Sequence, residues 1–261
     1  MCFPFNAQPP IIPVAGAAAD AEHVTLTSSD GTEFAAFAAR ASEPGRPGIV
    51  VLPDVRGLFR FYEELALRFA EQGISAVAID YFGRTAGVGT RDESFPFMEH
   101  VAQTRPEQVA GDVGAAVRYL RSEAGGSSSP IFTVGFCFGG AQSWLQAANG
   151  HGLAGVIGFY GGPGPGRDGS PGPAQRAREF ACPVLALMAG ADQWITPDQV
   201  DVLRRALEDA GVENEVVVYP DAPHSFFDRS FEEHAEASAD AWQRMLAFIH
   251  QHSGEREAAH A

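Results

Sequence analysis

The stretch Thr133-Val-Gly-Phe-Cys-Phe-Gly-Gly140 carries the strongest structural signal in this chain of 261 residues. It ends a continuous apolar run, which predicts a buried strand over 131–137, and a helical pattern follows at once. A side chain at such a junction lies on a sharp turn, where the residues two places before and after it approach each other closely. Gly135 and Gly139 suit that turn, because a Cβ at either position would collide. The pattern therefore predicts that Cys137 projects from the edge of a sheet.

Strand and helix patterns alternate on both sides of this stretch. That alternation predicts an α/β fold with a mostly parallel central sheet and helices on both faces. An antiparallel hairpin is predicted at 23–41, where two short runs flank a Ser-Ser-Asp-Gly turn. The other predicted strands are 48–54, 74–82, 153–160, 183–190 and 214–220, and the predicted helices are 59–73, one from about 106, one ending at Gln146, 197–211 and 232–252.

The sequence predicts one domain with an additional segment at each end. We expect an extended Pro-rich arm over 1–22, a single domain over 23–252 and a flexible tail over 253–261. Residues 83–98 are expected to be irregular, and the Gly- and Pro-rich segment 161–175 is expected to be a loop. The sequence leaves open whether that loop covers a pocket.

Composition excludes several classes of function. The net charge of −15 has the wrong sign for general binding to nucleic acid or to an anionic membrane. Three widely spaced cysteines, Cys2, Cys137 and Cys182, form neither a disulfide framework nor a zinc motif. The first 20 residues contain no Lys or Arg and so do not resemble a signal peptide, which favours a cytoplasmic location.

The turn at Cys137 matches the G-x-S-x-G nucleophile elbow of α/β-hydrolases, with Cys in place of Ser. In that fold the acid and then the base follow the nucleophile along the chain. Asp192 comes directly after the strand 183–190, and His224 follows the strand 214–220, so both occupy the required positions. We therefore predict that His224 takes the proton of Cys137 and that Asp192 orients the imidazole.

Competing residues fit these roles less well. Asp198 is an alternative acid, but its place just after a proline suits the first turn of a helix. The other seven histidines precede any plausible base position, lie in a charged helix or lie near the C-terminal end: His23, His100, His151, His234, His250, His252 and His260. The oxyanion hole is predicted to use the backbone N–H of Phe138 and one from the loop after strand 48–54, most simply that of Val55.

The sequence resembles the dienelactone hydrolase family from about residue 25 to residue 250. The matching motifs are Gly135-Phe-Cys-Phe-Gly-Gly140, Gly190-Ala-Asp192, Ala222-Pro-His-Ser-Phe226, Pro53-Asp-Val-Arg-Gly57 and Ala78-Ile-Asp-Tyr-Phe-Gly-Arg84. The resemblance implies hydrolysis of a small-molecule ester or enol-lactone through a thioester intermediate. It implies neither a metal nor an organic cofactor.

Two positions depart from the family pattern. Asp54 stands where the family has a Glu that holds the resting thiol, so Asp54 is a candidate thiol-gating residue, or alternatively a plain turn residue. Of the two family arginines that grip a substrate carboxylate, Arg84 matches the first across an inserted Gly. The second falls on Asp228, with Arg229 one place later. Arg56 beside the predicted oxyanion donor is a further candidate for binding substrate.

Three functions stay open at this point. The leading prediction is a Cys-His-Asp ester or lactone hydrolase, which we expect to be a monomer. An acyl-cysteine intermediate could also serve a thioesterase or an acyltransferase. A catalytically idle member could act as a binding module or as a thiol sensor, because an exposed thiolate is oxidisable. The presence of both Asp192 and His224 favours catalysis over sensing.

Overall fold

A computed structural model describes residues 3–14 and 20–254, and eight of its strands form one sheet. Their order across the sheet is β1-β2-β4-β3-β5-β6-β7-β8. Strands β3 to β8 run parallel to their neighbours within that set, and β2 is antiparallel to both β1 and β4. The strands are β1 (Asp20–Thr27), β2 (Glu33–Arg40), β3 (Gly48–Leu52), β4 (Ser75–Ile79), β5 (Ile131–Phe136), β6 (Gly155–Phe159), β7 (Val184–Ala189) and β8 (Asn214–Tyr219).

Helices follow the parallel strands along the chain, as the alternating pattern predicted. They are α1 (Arg60–Glu71), α2 (Gly83–Ala86), α3 (Phe97–Val101), α4 (Pro106–Arg121), α5 (Phe138–Leu145), α6 (Pro173–Arg176), α7 (Pro197–Asp209) and α8 (Ala235–His252). The short helix α2 lies in a segment that the sequence predicted to be irregular, and α3 and α6 begin in such segments. A helix of four or five residues spans too little chain to show a 3.6-residue periodicity, so the pattern missed it. No helix of the described residues is long and apolar enough to cross a membrane.

Side chains of the central strand β3 alternate between two hydrophobic cores. Ile49 and Val51 pack into one core with residues of α1, α7 and α8, while Val50 and Leu52 pack into the other core with α4. All five residues of β3 are buried, as expected for a parallel strand covered on both faces. The prediction of a mostly parallel sheet with helices on both faces is therefore confirmed.

The described part of the N-terminal arm, residues 3–14, lies against the domain without forming helix or strand. Phe3 is buried and stacks on Phe61 of α1 with 4.0 Å between ring centroids. Gln8 donates its backbone N–H to Asp228 and accepts the backbone N–H of Arg229 at 2.9 Å. Residues 1–2 and 15–19 of the arm, and residues 255–261 of the predicted tail, lie outside the described residues.

Six parallel strands, β3 to β8, end at the same edge of the sheet, and that edge positions the candidate site. Segments leave this edge after β3, β5, β6, β7 and β8. They carry in turn Val55, Cys137, Tyr160, Asp192 and His224. Ligands of open α/β sheets bind outside the carboxyl ends of the strands, so this edge is where a site is expected.

Candidate active site

Cys137 occupies a strained turn between β5 and α5. Its backbone has φ of 57° and ψ of −115°, a conformation that side-chain-bearing residues rarely adopt. A Cβ added at Gly135 would lie 1.8 Å from the carbonyl oxygen of Gly139, and one added at Gly139 would lie 2.2 Å from that of Leu52. Glycine is therefore required on both sides of Cys137. Strain of this kind persists where the surrounding fold holds it, often at functional sites.

His224 and Asp192 form a short, buried hydrogen bond. The Nδ1 atom of His224 lies 2.6 Å from Oδ2 of Asp192, and the two side chains are 7% and 1% exposed. The second carboxylate oxygen, Oδ1, accepts the backbone N–H groups of Trp194 at 2.8 Å and Ile195 at 3.3 Å. Both oxygens of Asp192 are thus engaged, and one of them fixes the imidazole of His224.

The environment of Asp192 keeps its carboxylate ionised. Burial pushes the pKa of Asp192 upward, but the hydrogen bonds from His224 and from the backbone of Trp194 and Ile195 outweigh it, so the pKa lies below its ordinary value. A negative charge beside Nδ1 favours the tautomer that carries its proton there and stabilises an imidazolium ion.

Cys137 and His224 line the same cavity, whose volume is about 990 Å³. The segment 161–175, whose position the sequence left open, contributes a large part of its wall, and so do residues from 97 to 106. This size lies at the upper end of the range of roughly 300–1,000 Å³ that is usual for small-molecule sites.

Both predicted oxyanion donors also line this cavity. Phe138 is the first residue of α5, so its N–H belongs to the first turn, where no acceptor exists within the helix. Val55 lies inside a turn closed by the hydrogen bond from Gly57 N to Asp54 O at 3.1 Å, and the Val55 N–H takes no part in that bond. Both residues therefore border the cavity of Cys137, and their role as oxyanion donors stays a prediction.

Asp54 is fully buried and is bound by Arg56. The Oδ1 atom accepts the backbone N–H of Arg56 at 2.8 Å and its Nε at 3.2 Å, while Oδ2 lies 2.8 Å from Nη2. The guanidinium also lies over the ring of Phe59, 4.3 Å from the centroid. Arg56 lines the cavity, so of the three predicted substrate-binding arginines it is the one at the site. The thiol-gating role of Asp54 stays a prediction.

Arg84 has a different place from the one predicted for it. Its guanidinium makes two hydrogen bonds to the carboxylate of Asp112, at 2.8 and 2.9 Å, and others to Asp30 and Ser28. It tethers α2 to α4 and to the turn after β1, and it is not among the described residues that line the cavity. Arg84 is therefore not part of the candidate site. The matching motif could not reveal this, because Asp30 and Asp112 are far from Arg84 in sequence.

Arg229 likewise lies away from the cavity of Cys137. It is exposed, and it borders a smaller pocket between the N-terminal arm and α1. Asp228, which stands at the family arginine position, is fully buried and accepts hydrogen bonds from Gln8 and Ser230. Arg229, one residue after the family arginine position, is therefore not brought back to the cavity of Cys137 by the fold, and it is not part of the candidate site.

Two aromatic residues at the site escaped the sequence analysis. Tyr160 follows β6, and its ring centroid lies 4.7 Å from that of His224. Trp194 packs edge-on against His224 with 4.8 Å between centroids. The sequence held a sign that each residue lies near the site. Tyr160 is the last residue of the predicted strand 153–160, and Trp194 lies two residues after the predicted acid Asp192.

Comparison with known proteins assigns the chain to a family. The model of the dienelactone hydrolase family matches residues 34–253. The chain belongs to the dienelactone hydrolase family. A Salmonella typhi protein named "Putative carboxymethylenebutenolidase" is 31% identical over 239 residues, which cover 89% of this chain and 88% of that protein. The carboxymethylenebutenolidase of Pseudomonas putida is 28% identical over 238 residues, covering 87% and 95% of the two chains.

Solved structures agree with the assignment to the dienelactone hydrolase family. The crystal structure named for a "Putative Dienelactone Hydrolase" from Klebsiella pneumoniae superimposes with a TM-score of 0.78 at 30% identity, covering 90% of this chain and 99% of that one. The predicted α/β-hydrolase fold is confirmed, and so is the prediction that the protein is a hydrolase.

Proposed function

We propose that this member of the dienelactone hydrolase family hydrolyses carboxylic esters or enol-lactones through an acyl-thioester on Cys137. The observation that carries the proposal is the 2.6 Å bond from His224 to Asp192, which orients an imidazole in the cavity lined by Cys137. The names of the relatives from Salmonella typhi and Pseudomonas putida support a substrate of the carboxymethylenebutenolide, or dienelactone, type.

Each proton has a defined path in this reaction. Since Asp192 holds Nδ1 of His224, Nε2 is the atom that takes the proton from Sγ of Cys137. The thiolate attacks the carbonyl carbon, and the negative charge that develops on the carbonyl oxygen is stabilised by the N–H groups of Phe138 and Val55. Collapse of this intermediate breaks the bond to the alcohol oxygen, which receives the proton from Nε2.

Deacylation repeats these steps with water. The Nε2 atom of His224 removes a proton from a water molecule, whose oxygen attacks the thioester carbonyl. The carbon–sulfur bond then breaks, the thiolate of Cys137 recovers its proton from the imidazolium ion, and a carboxylic acid leaves. No oxidation or reduction occurs in either half of the reaction.

Hydrolysis of p-nitrophenyl acetate and of a dienelactone by single variants tests the proposal. Cys137→Ala and His224→Ala are each expected to lower kcat by about 10³-fold or more, and the double variant by little further, because the residues act as a unit. Cys182→Ala is the matched control, since that thiol is not among the described residues lining the cavity, and it should keep full activity. A mass spectrum of quenched wild type should show one acyl group on Cys137. Unchanged hydrolysis by Cys137→Ala would disprove the proposal.

A further inference from the structure

Trp194 is an unusually exposed aromatic side chain at the candidate site. Trp194 is 59% exposed, so a large apolar surface of its indole ring is in contact with water. Its backbone N–H is fixed by Asp192, while its ring lines the cavity and stands at 89° to that of His224. The turn that holds the catalytic acid thus presents a large apolar surface next to the base.

The rest of the cavity wall is also largely apolar. Met98 is 49% exposed there, and Phe97, Val101 and Leu145 line the same wall. The described residues of the wall include four charged side chains, Arg56, Arg105, Arg167 and Asp168. Arg56 binds the buried Asp54, and Nη1 of Arg105 lies 3.6 Å from Asp168. A compact lactone would fill only a small part of about 990 Å³, and it would leave this apolar surface in contact with water.

The reaction itself fixes which part of a substrate meets Trp194. The alcohol oxygen receives its proton from His224, so the leaving group must lie against that ring. Tyr160 also packs against His224, but it is only 1% exposed and can cover little of an incoming group. Trp194 is the aromatic neighbour of His224 with a ring surface open to the cavity.

We propose that Trp194 is a specificity-determining residue that binds the alcohol part of the substrate, and that the enzyme favours esters of bulky apolar or aromatic alcohols. This inference rests on the proposed ester hydrolysis at Cys137. Contact with the indole ring removes apolar surface of both partners from water and adds the attraction between aromatic rings.

A series of acetate esters tests the inference. Ethyl, benzyl and 2-naphthylmethyl acetates release alkoxides of similar basicity, so differences among them report binding of the alcohol part rather than intrinsic reactivity. In wild type, kcat/KM should rise from ethyl to naphthylmethyl. In Trp194→Ala the naphthylmethyl-to-ethyl ratio should fall by about fivefold or more, and Trp194→Phe should retain part of it, since a stacked aromatic pair contributes roughly 0.5–1.5 kcal/mol beyond burial.

Two controls separate this role from a structural one. Val202→Ala on α7 is a matched change of an exposed apolar side chain that is not among the described residues lining the cavity, and it should leave the ratio unchanged. In ethyl acetate, butyrate and octanoate, where the acyl part varies, substitution of Trp194 should leave the relative rates unchanged. A naphthylmethyl-to-ethyl ratio that Trp194→Ala and Trp194→Phe leave unaltered, or an equal effect on the acyl series, would overturn the inference.

The proposed function fails in a different way. If wild type and Cys137→Ala hydrolyse every ester at the same rate, the assignment of the nucleophile is wrong, whatever the effect of Trp194. If wild type hydrolyses the esters through Cys137 but substitution of Trp194 leaves the naphthylmethyl-to-ethyl ratio unchanged, only the specificity proposal is wrong.

Discussion

Replacing Asp192 by Asn should abolish most activity through a change of tautomer at His224. In the folded protein Oδ1 accepts two backbone N–H groups, from Trp194 and Ile195, while Oδ2 faces Nδ1 of His224. An Asn side chain must keep its carbonyl oxygen at the Oδ1 position, because an amide NH₂ there would face two donors. Its NH₂ group then points at Nδ1, which can only accept.

The proton of the imidazole is thereby forced onto Nε2, the atom that has to take the proton of Cys137. His224 then cannot act as a base, although every heavy atom stays in place. From the loss seen when a triad Asp becomes Asn, kcat should fall by about 10³- to 10⁴-fold, equivalent to about 4 to 5.5 kcal/mol in the activation free energy. The measurement is kcat for p-nitrophenyl acetate, with circular dichroism to verify the fold.

Two further variants make the test of this tautomer argument specific. Asp198→Asn removes the same charge from the first turn of α7, six residues away in sequence, and should leave kcat within about twofold. Asp192→Ala leaves His224 free to adopt either tautomer, so it should be at least as active as Asp192→Asn when both fold. Asp192→Asn with more than a tenth of wild-type activity, or Asp192→Ala far below Asp192→Asn, would refute the reasoning.

Other substitutions test the structural assignments around the site. Arg84→Ala should lower the free energy of unfolding in urea by about 3–5 kcal/mol, because it leaves the buried carboxylate of Asp112 without its guanidinium, while kcat of the folded fraction stays unchanged. Burial raises the pKa of Cys182 to about 12, so at pH 8 roughly one molecule in 10⁴ carries the Cys182 thiolate. Peptide mapping after treatment with iodoacetamide should therefore show Cys182 unmodified until the pH is raised or the protein unfolds. Gly139→Ala should prevent folding or remove activity, since its Cβ would lie 2.2 Å from two backbone carbonyl oxygens. Gly89→Ala should be tolerated in thermal unfolding and in the ester assay, because its Cβ would meet only Nη1 of Arg91, at 3.9 Å, and Gly89 is not among the described residues lining the cavity.

The fold could be predicted from the sequence because its signals are local and repeated. The apolar runs of β3 and β5 are continuous, as parallel strands buried on both faces require, and the helices between them show the 3.6-residue period. Boundaries were less predictable: the run 48–54 includes Pro53, which has no N–H for the sheet, so β3 ends at Leu52.

The catalytic candidates could be predicted for a related reason. Cys137 follows directly on β5, and Asp192 and His224 lie in the loops that leave β7 and β8. A correct set of strands therefore places all three at one edge of the sheet. The strand-end rule also covers Val55 and Phe138. Arg84 could not be placed in this way, because a guanidinium on a long side chain takes its position from its acidic partners, and those come from distant parts of the chain.

The candidate acid Asp192, the candidate base His224 and the proposed specificity residue Trp194 are physically linked through the turn after β7. The Oδ1 atom of Asp192 holds the backbone of Trp194, and Oδ2 holds the ring against which the indole packs. Any substitution that moves the backbone of Trp194 must therefore weaken one of the hydrogen bonds that depress the pKa of Asp192. A change of the Trp194 side chain alone keeps that backbone bond and changes only the surface offered to the substrate. Specificity can thus vary at this position while the tautomer of His224 is preserved, which is why the ratio of two esters, rather than the rate with one, is the appropriate measure of the role of Trp194.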